Sequence, residues 1–170
     1  MLRSRRSMLL TFAALGLAPV RARADGRSRI DRLEIDKSER RLRAYAGDRL
    51  AATYRVAVGS GGLGPKRFEG DRRTPEGAYR IDRRHRSRQY HRFLHVSYPN
   101  AEDRRRFRAL RRSGEVPEGR GIGSAIGIHG GNRGARRLVD WTAGCIALRD
   151  DEAEALFAAV VPNARVIIRP

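Results

Sequence analysis

Leu50, Ala52, Tyr54, Val56 and Val58 fall at every second position over nine residues. A period of two is the mark of a half-buried strand, because successive side chains leave opposite faces of an extended chain. Shorter runs repeat the pattern on either side: Leu33 with Ile35, Leu42 with Ala44, Tyr79 with Ile81, and Leu94 with Val96 and Tyr98. Asp36-Lys37-Ser38-Glu39 separates the first two runs and Gly47-Asp48 stands before the third, which predicts an antiparallel meander of hairpins. Val166 to Ile168 makes a short closing strand. Two segments carry helical spacing instead. Glu102 to Arg112 places Phe107 and Leu110 on one face, with Glu102 one turn before Arg106. A second helix is expected from Asp150-Asp151, with Glu154 at capping-box spacing from Asp151 and Leu156, Phe157, Val160 and Val161 as its apolar face. Pro162 is expected to end it. The pattern as a whole predicts a mainly β domain with a few peripheral α-helices.

The chain has 170 residues, enough for one domain, and its first 24 read as something else. Arg3, Arg5 and Arg6 are followed by an apolar run from Met8 to Ala18, then by Pro19 and by Ala22-Arg23-Ala24. This is the layout of a cleaved export signal ending near Ala24, and its apolar run is shorter than the roughly 20 residues that span a bilayer. Ser4-Arg5-Arg6-Ser7 also fits a twin-arginine signal. The expected layout is therefore a signal at 1–24 and one domain at 25–170, exported to the periplasm or cell envelope, with no membrane span once the signal is removed. Loss of the signal takes five arginines and lowers the net charge from +18 to +13. So basic a chain favours anionic surroundings. Its arginines are spread among acids, however, and no nucleic-acid module is present, so a nucleic-acid partner is not expected.

An exported protein normally pairs its cysteines as disulfides. Here there is one, Cys145. A domain of this length needs no staple, so Cys145 is a reactive thiol, an intermolecular link or a small buried hydrophobe. Its neighbourhood favours reactivity. His129 closes the short run Ile126-Gly127-Ile128-His129 and is followed by Gly130 and Gly131; Cys145 comes sixteen residues after His129, within Asp140-Trp141-Thr142-Ala143-Gly144-Cys145-Ile146-Ala147-Leu148. An imidazole that accepts the thiol proton generates the nucleophilic thiolate. Gly144, without a Cβ, admits a substrate carbonyl close to the main chain, where the amides of Gly144 and Cys145 could hold an oxyanion.

Residues 129–148 resemble the signature of the L,D-transpeptidase (YkuD-like) catalytic domain, in which a His-Gly pair precedes Ser/Thr-x-Gly-Cys and an apolar residue. Gly70-Asp71-Arg72-Arg73-Thr74-Pro75-Glu76-Gly77-Ala78-Tyr79 is similar to that family's Gly-Asp-x-x-Thr-Pro-x-Gly segment, and Tyr98-Pro99-Asn100 with Asp103 resembles one of its branches. The resemblance runs from about Arg29 to Pro170. It implies a β-sandwich of mixed sheets and an acyl transfer on peptidoglycan stem peptides, with wall-attached protein as a second candidate partner and neither metal nor organic cofactor. It also implies roles: Cys145 as nucleophile, His129 as base, the Gly130 carbonyl orienting the imidazole, and Thr142 positioning the cysteine loop. Two positions depart from the pattern. Ala143 and Ala147 stand where many members carry histidine and arginine, as in a YafK-like branch of which some members hydrolyse wall linkages. Transfer and hydrolysis both remain open at this point, as does a basic wall-binding module without catalysis.

Other candidates are weaker. His91 and His95 are four apart on a strand and share a face, so they could form a metal pair, but surface positions are expected. His85 lies among arginines, Asp82, Asp103 and Asp140 are scattered, and Arg149 could meet a substrate carboxylate. Gly59 to Pro65 lacks the Lys-Ser/Thr ending of a phosphate loop.

Overall fold

The computed structural model describes residues 29–131 and 139–170; the expected export signal at 1–24 lies outside them. In chain order the elements are β1 (Ile30–Asp36), β2 (Arg41–Ala46), β3 (Arg49–Arg55), β4 (Gly77–Ser87), β5 (His91–Val96), α1 (Ala101–Arg112), β6 (Gly127–His129), β7 (Ile146–Ala147), α2 (Asp150–Ala159) and β8 (Val160–Arg169). The strands form one eight-stranded mixed sheet in the order β3-β2-β1-β8-β4-β5-β6-β7. The meander read from the sequence is present as β1-β2-β3, antiparallel throughout. β8 then enters parallel to β1 and antiparallel to β4. It is a central strand of ten residues, longer than the short closing strand expected at Val166 to Ile168.

The two ends of the strand order meet. Beyond Arg55 the chain leaves β2 and pairs through Ala57 with Ala147, donating at 3.0 Å and accepting at 2.8 Å, while Gly59 pairs with Thr142. The sheet is thereby curled around a single core of Leu33, Ile35, Leu42, Leu94, Val96, Ile128, Ile146, Leu156, Val166 and Ile168, all fully buried. This change of partner explains why the alternation continues to Val58 although β3 stops at Arg55. A register shift between Ala44 and Tyr45 turns the start of β3, which leaves Leu50 47% exposed.

Both helices lie where helical spacing places them, with altered ends. α1 starts at Asn100, whose side chain accepts from the amides of Glu102 and Asp103 while Asp103 accepts from the Asn100 amide. α2 is capped by Glu152, which accepts from the Arg149 amide at 3.2 Å; Glu154 is instead paired with Arg92 and His91. The expected box at Asp151 and Glu154 is thus displaced. Val160 and Val161 belong to β8 and not to the helix, because the chain turns extended at Val160 to join the sheet before Pro162 is reached.

One buried charge ties the meander to the segment that precedes β4. Lys37, 1% exposed, donates to the Gly64 carbonyl (2.7 Å), the Thr74 carbonyl (3.2 Å) and the Glu76 carboxylate (2.6 Å). All three ammonium protons are satisfied, the condition under which a buried lysine stays charged. Burial nevertheless pulls its pKa below the ordinary lysine value, with Glu76 opposing the shift.

Candidate active site

β6 and β7 are parallel, with Ile128 opposite Ile146 and His129 opposite Ala147. Extending that register by one residue sets Cys145 opposite Gly127. Side chains alternate along a strand, so Cys145 and His129 emerge on the same face, two residues out of step. The pairing that closes the sheet therefore brings the two residues together.

The histidine is rigidly held. His129 is buried, and its Nδ1 donates to the Gly130 carbonyl at 2.6 Å. A carbonyl can only accept, so the proton sits on Nδ1 and Nε2 keeps its lone pair. Gly130 is fixed in turn by its amide, which donates to the carbonyls of Tyr90 (3.0 Å) and Arg92 (3.3 Å). Phe93 stacks on the imidazole at 5.7 Å, Tyr90 lies at 4.3 Å and Trp141 meets it edge-on at 6.0 Å. Burial in this aromatic cage lowers the imidazole pKa, and the Gly130 carbonyl opposes the shift. The resting imidazole is neutral.

Thr142 braces the cysteine loop. Buried, it donates from Oγ1 to the Cys145 carbonyl at 2.7 Å and accepts from the Gly144 amide at 3.1 Å. The Gly144 amide is thereby occupied, while the Cys145 amide donates to no acceptor among the described residues. Gly144 itself has φ +132, and a Cβ there would lie 2.7 Å from the Arg73 carbonyl. Its first requirement is thus this close approach to the 70–79 segment, beneath the loop, more than room for a substrate. Asp71 organises that segment, accepting from the Arg67 and Arg73 amides and from buried Lys66 at 2.7 Å. Gly144→Ala, which meets both the backbone conformation and the Arg73 carbonyl, is expected to destabilise the fold by about 3 kcal/mol and to displace the thiol. Chemical denaturation of the two proteins measures it. Thr142→Val leaves a buried amide unpaired and is expected to cost about 2 kcal/mol, with Thr142→Ser recovering most of the loss in the same assay.

The Cys145 thiol is partly exposed. It points at the Ala125 carbonyl, 3.6 Å away, and no direct hydrogen bond joins it to His129. Burial raises the thiol pKa, opposed by the Gly127 amide and the charge of Lys66. Ala125 has φ +58, a strained conformation for a residue with a Cβ, of the kind that gathers at functional sites. Beside the pair opens a cavity of about 540 Å³, whose lining includes Ala125, Tyr90 and Phe93 and so touches the surroundings of both residues. A partly exposed thiol on the same face as a buried imidazole whose Nε2 meets no donor among the described residues can carry out nucleophilic attack with proton transfer.

Of the remaining candidates, His85 and His95 line that cavity and the others lie elsewhere. His91 bonds Glu154 (2.9 Å), and His95 bonds Asp82 (2.5 Å); no cluster able to hold a metal occurs among the described residues. Arg149 is exposed and paired with Asp151. Asp140 binds Arg40 and accepts from the Val58 amide, so it supports the loop before Cys145. Asp103 is buried as the acceptor of the Tyr79 hydroxyl. His85 stacks on Phe93 at 5.3 Å. The cage of Tyr90, Phe93 and Trp141 was not singled out in the sequence, although Phe93 lies between His91 and His95 and two residues from each, which marks its face.

The L,D-transpeptidase catalytic domain (YkuD) family matches residues 30–168. YafK of Escherichia coli strain K12 is 37% identical over 78 residues, which cover 42% of this chain and 32% of that protein. Among solved structures, the helical cell shape determining protein Pgp2 of Campylobacter jejuni superposes with a TM-score of 0.60 at 25% identity, covering 82% of this chain and 47% of that one. An L,D-transpeptidase of Mycobacterium smegmatis superposes with a TM-score of 0.54 over 81% of this chain and 58% of its own; at 13% identity the likeness is one of fold alone. The chain thus spans about a third of the curated relative and about half of Pgp2.

Proposed function

Because this chain belongs to the L,D-transpeptidase catalytic domain (YkuD) family, we propose that it is a cysteine-dependent acyl transferase acting on peptidoglycan stem peptides. The observation that carries this reading is the tautomer of His129: Nδ1 is committed to the Gly130 carbonyl, and Nε2 is left as a base on the face that bears Cys145. His129 Nε2 takes the thiol proton as Sγ attacks a peptide carbonyl. The tetrahedral oxyanion is met by the Cys145 amide, joined by the Gly144 amide only if the latter gives up Thr142. The C–N bond then breaks, the leaving amine takes the proton from the imidazolium, and a thioester remains. An incoming amine gives its proton to Nε2, forms the new C–N bond and releases the thiol. Water in its place would give hydrolysis.

The Ala125 carbonyl holds the thiol in the resting state, so Sγ leaves that carbonyl for Nε2 before it attacks. A neutral, half-shielded thiol is also slow to oxidise, which suits the export implied by residues 1–24 to an oxidising periplasm or envelope. Ala143 and Ala147 remove the side chains that many relatives place beside the cysteine; Ala147 is fully buried against β6. The experiment is incubation of the protein and its Cys145→Ala variant with defined muropeptides, followed by mass analysis of the products. Joined species from the unaltered protein alone are expected. Shortened peptides without joined ones would assign hydrolysis, and identical products from both proteins would remove Cys145 from the reaction.

A further inference from the structure

The curled sheet places four residues in one row across four strands: Arg83 on β4 pairs with His95 on β5, His95 with Gly127 on β6, and Gly127 stands opposite Cys145. All four share the face that carries His129. At about 4.8 Å between strands, β4 is roughly 14 Å from the cysteine loop; Gly127 has no side chain, and the Phe93 ring leans over it, into the space a Cβ would need. A cavity on this face has Arg83, His95, Phe93 and Ala125 in its wall, and the Ala125 carbonyl, 3.6 Å from the Cys145 thiol, links it to the cysteine.

Arg83 is aimed by its neighbours. An extra residue, Asp82, stands between Ile81 and Arg83 where β5 offers only Val96 and His95, and such a bulge lets both Asp82 and Arg83 reach His95. His95 donates from Nδ1 to Asp82 at 2.5 Å, which leaves Nε2 to accept from Arg83 Nη2 at 3.3 Å. The Asp82 carboxylate is committed to the imidazole, and Arg83 forms no ion pair among the described residues. The remaining guanidinium protons form a planar fork at the cavity wall, suited to a carboxylate. From these positions we infer that Arg83, held by His95 and Asp82, binds a free carboxylate of the peptide substrate and so selects peptides that carry one within about three residues of the attacked carbonyl. This inference rests on the proposed acyl transfer for its substrate class. Arg83 is a specificity residue in it, and His95 and Asp82 are positioning residues.

The test compares a free-acid stem peptide with its carboxamide. The unaltered protein is expected to favour the acid by about 10-fold in kcat/KM, chiefly through KM, a modest factor because the site is open to solvent. In Arg83→Gln the acid-to-amide ratio falls to about one, and Arg83→Lys recovers part of it. An unchanged ratio in Arg83→Gln, or equal loss on both peptides, overturns the inference. Because no turnover at all would count against the acyl-transfer reading, the same ratio is also measured as binding affinity, on Cys145→Ala with and without Arg83→Gln. Binding of the acid over the amide that depends on Arg83 supports the carboxylate site even there, and absence of binding to both peptides overturns it.

Discussion

Replacing Cys145 by alanine is expected to lower muropeptide turnover by at least about 10⁴-fold, with the melting temperature nearly unchanged. The size of the loss follows from the chemistry: without the sulfur no thioester forms, and the polar groups left behind cannot split the reaction into two steps. The small effect on stability follows from the packing. The thiol is partly exposed, and the hydrogen bond it donates is a weak one to the Ala125 carbonyl at 3.6 Å. Steady-state kinetics and a thermal melt on the same two proteins measure both quantities. Cys145→Ser is expected to be nearly as inactive, since a hydroxyl is far harder to deprotonate than a thiol.

Substitution of His129 is the next most damaging change. His129→Gln removes the base but keeps a polar side chain near the Gly130 carbonyl, and a loss of about 10³-fold in kcat/KM is expected. His129→Ala adds a void among Tyr90, Phe93 and Trp141 and should cost about 2 kcal/mol or more of stability besides. The pH dependence has a definite sign. Burial holds the imidazole below the ordinary histidine value of about 6.5, so the base stays neutral and competent down to that lowered pKa, and kcat/KM falls only in more acid solution. Stability follows the same direction. The unfolded chain binds the proton more readily, so the contribution of the buried neutral ring is complete above about pH 6.5 and is lost as pH falls through the folded pKa. Burial shifts the thiol the other way, above its ordinary value of about 8.5, so alkylation of Cys145 by iodoacetamide should be slow near neutrality and accelerate in alkaline solution. A rate that climbs by about tenfold per pH unit from pH 6 to beyond about 8.5 without levelling off would match this pair; fast, pH-independent alkylation near pH 6 would indicate a resting thiolate instead.

The period of two at Leu33, Leu42, Leu50 and Leu94 was sufficient to find the strands, because half-buried strands must alternate whatever their partners. It could not reveal that β8 inserts between β1 and β4, since those pairings join residues about 85 to 133 positions apart and depend on how the whole sheet curls. Lys37 reads as a turn residue in Asp36-Lys37-Ser38-Glu39, yet it is buried because Glu76 and two carbonyls close over it. Cys145 and His129 were legible from their solitude and their flanking glycines. What holds them was legible only in part: the Arg73 carbonyl that demands Gly144 and the Tyr90 and Phe93 rings against His129 come from segments distant in the chain, as does the Arg83–His95–Asp82 row on the same face. The bulge at Asp82 leaves no mark in the hydrophobic pattern, since it shifts polar residues on an exposed stretch of β4.

The central claim is that Cys145 carries an acyl group between donor and acceptor. Intact-mass spectrometry of the protein, quenched in acid during turnover of a donor stem peptide, tests it most directly. The account predicts a species heavier by the acyl part of the donor, lying on the peptide that contains Cys145, lost on treatment with hydroxylamine and absent from Cys145→Ala. Turnover to products with no such species on Cys145, or an adduct that persists in Cys145→Ala, would contradict it.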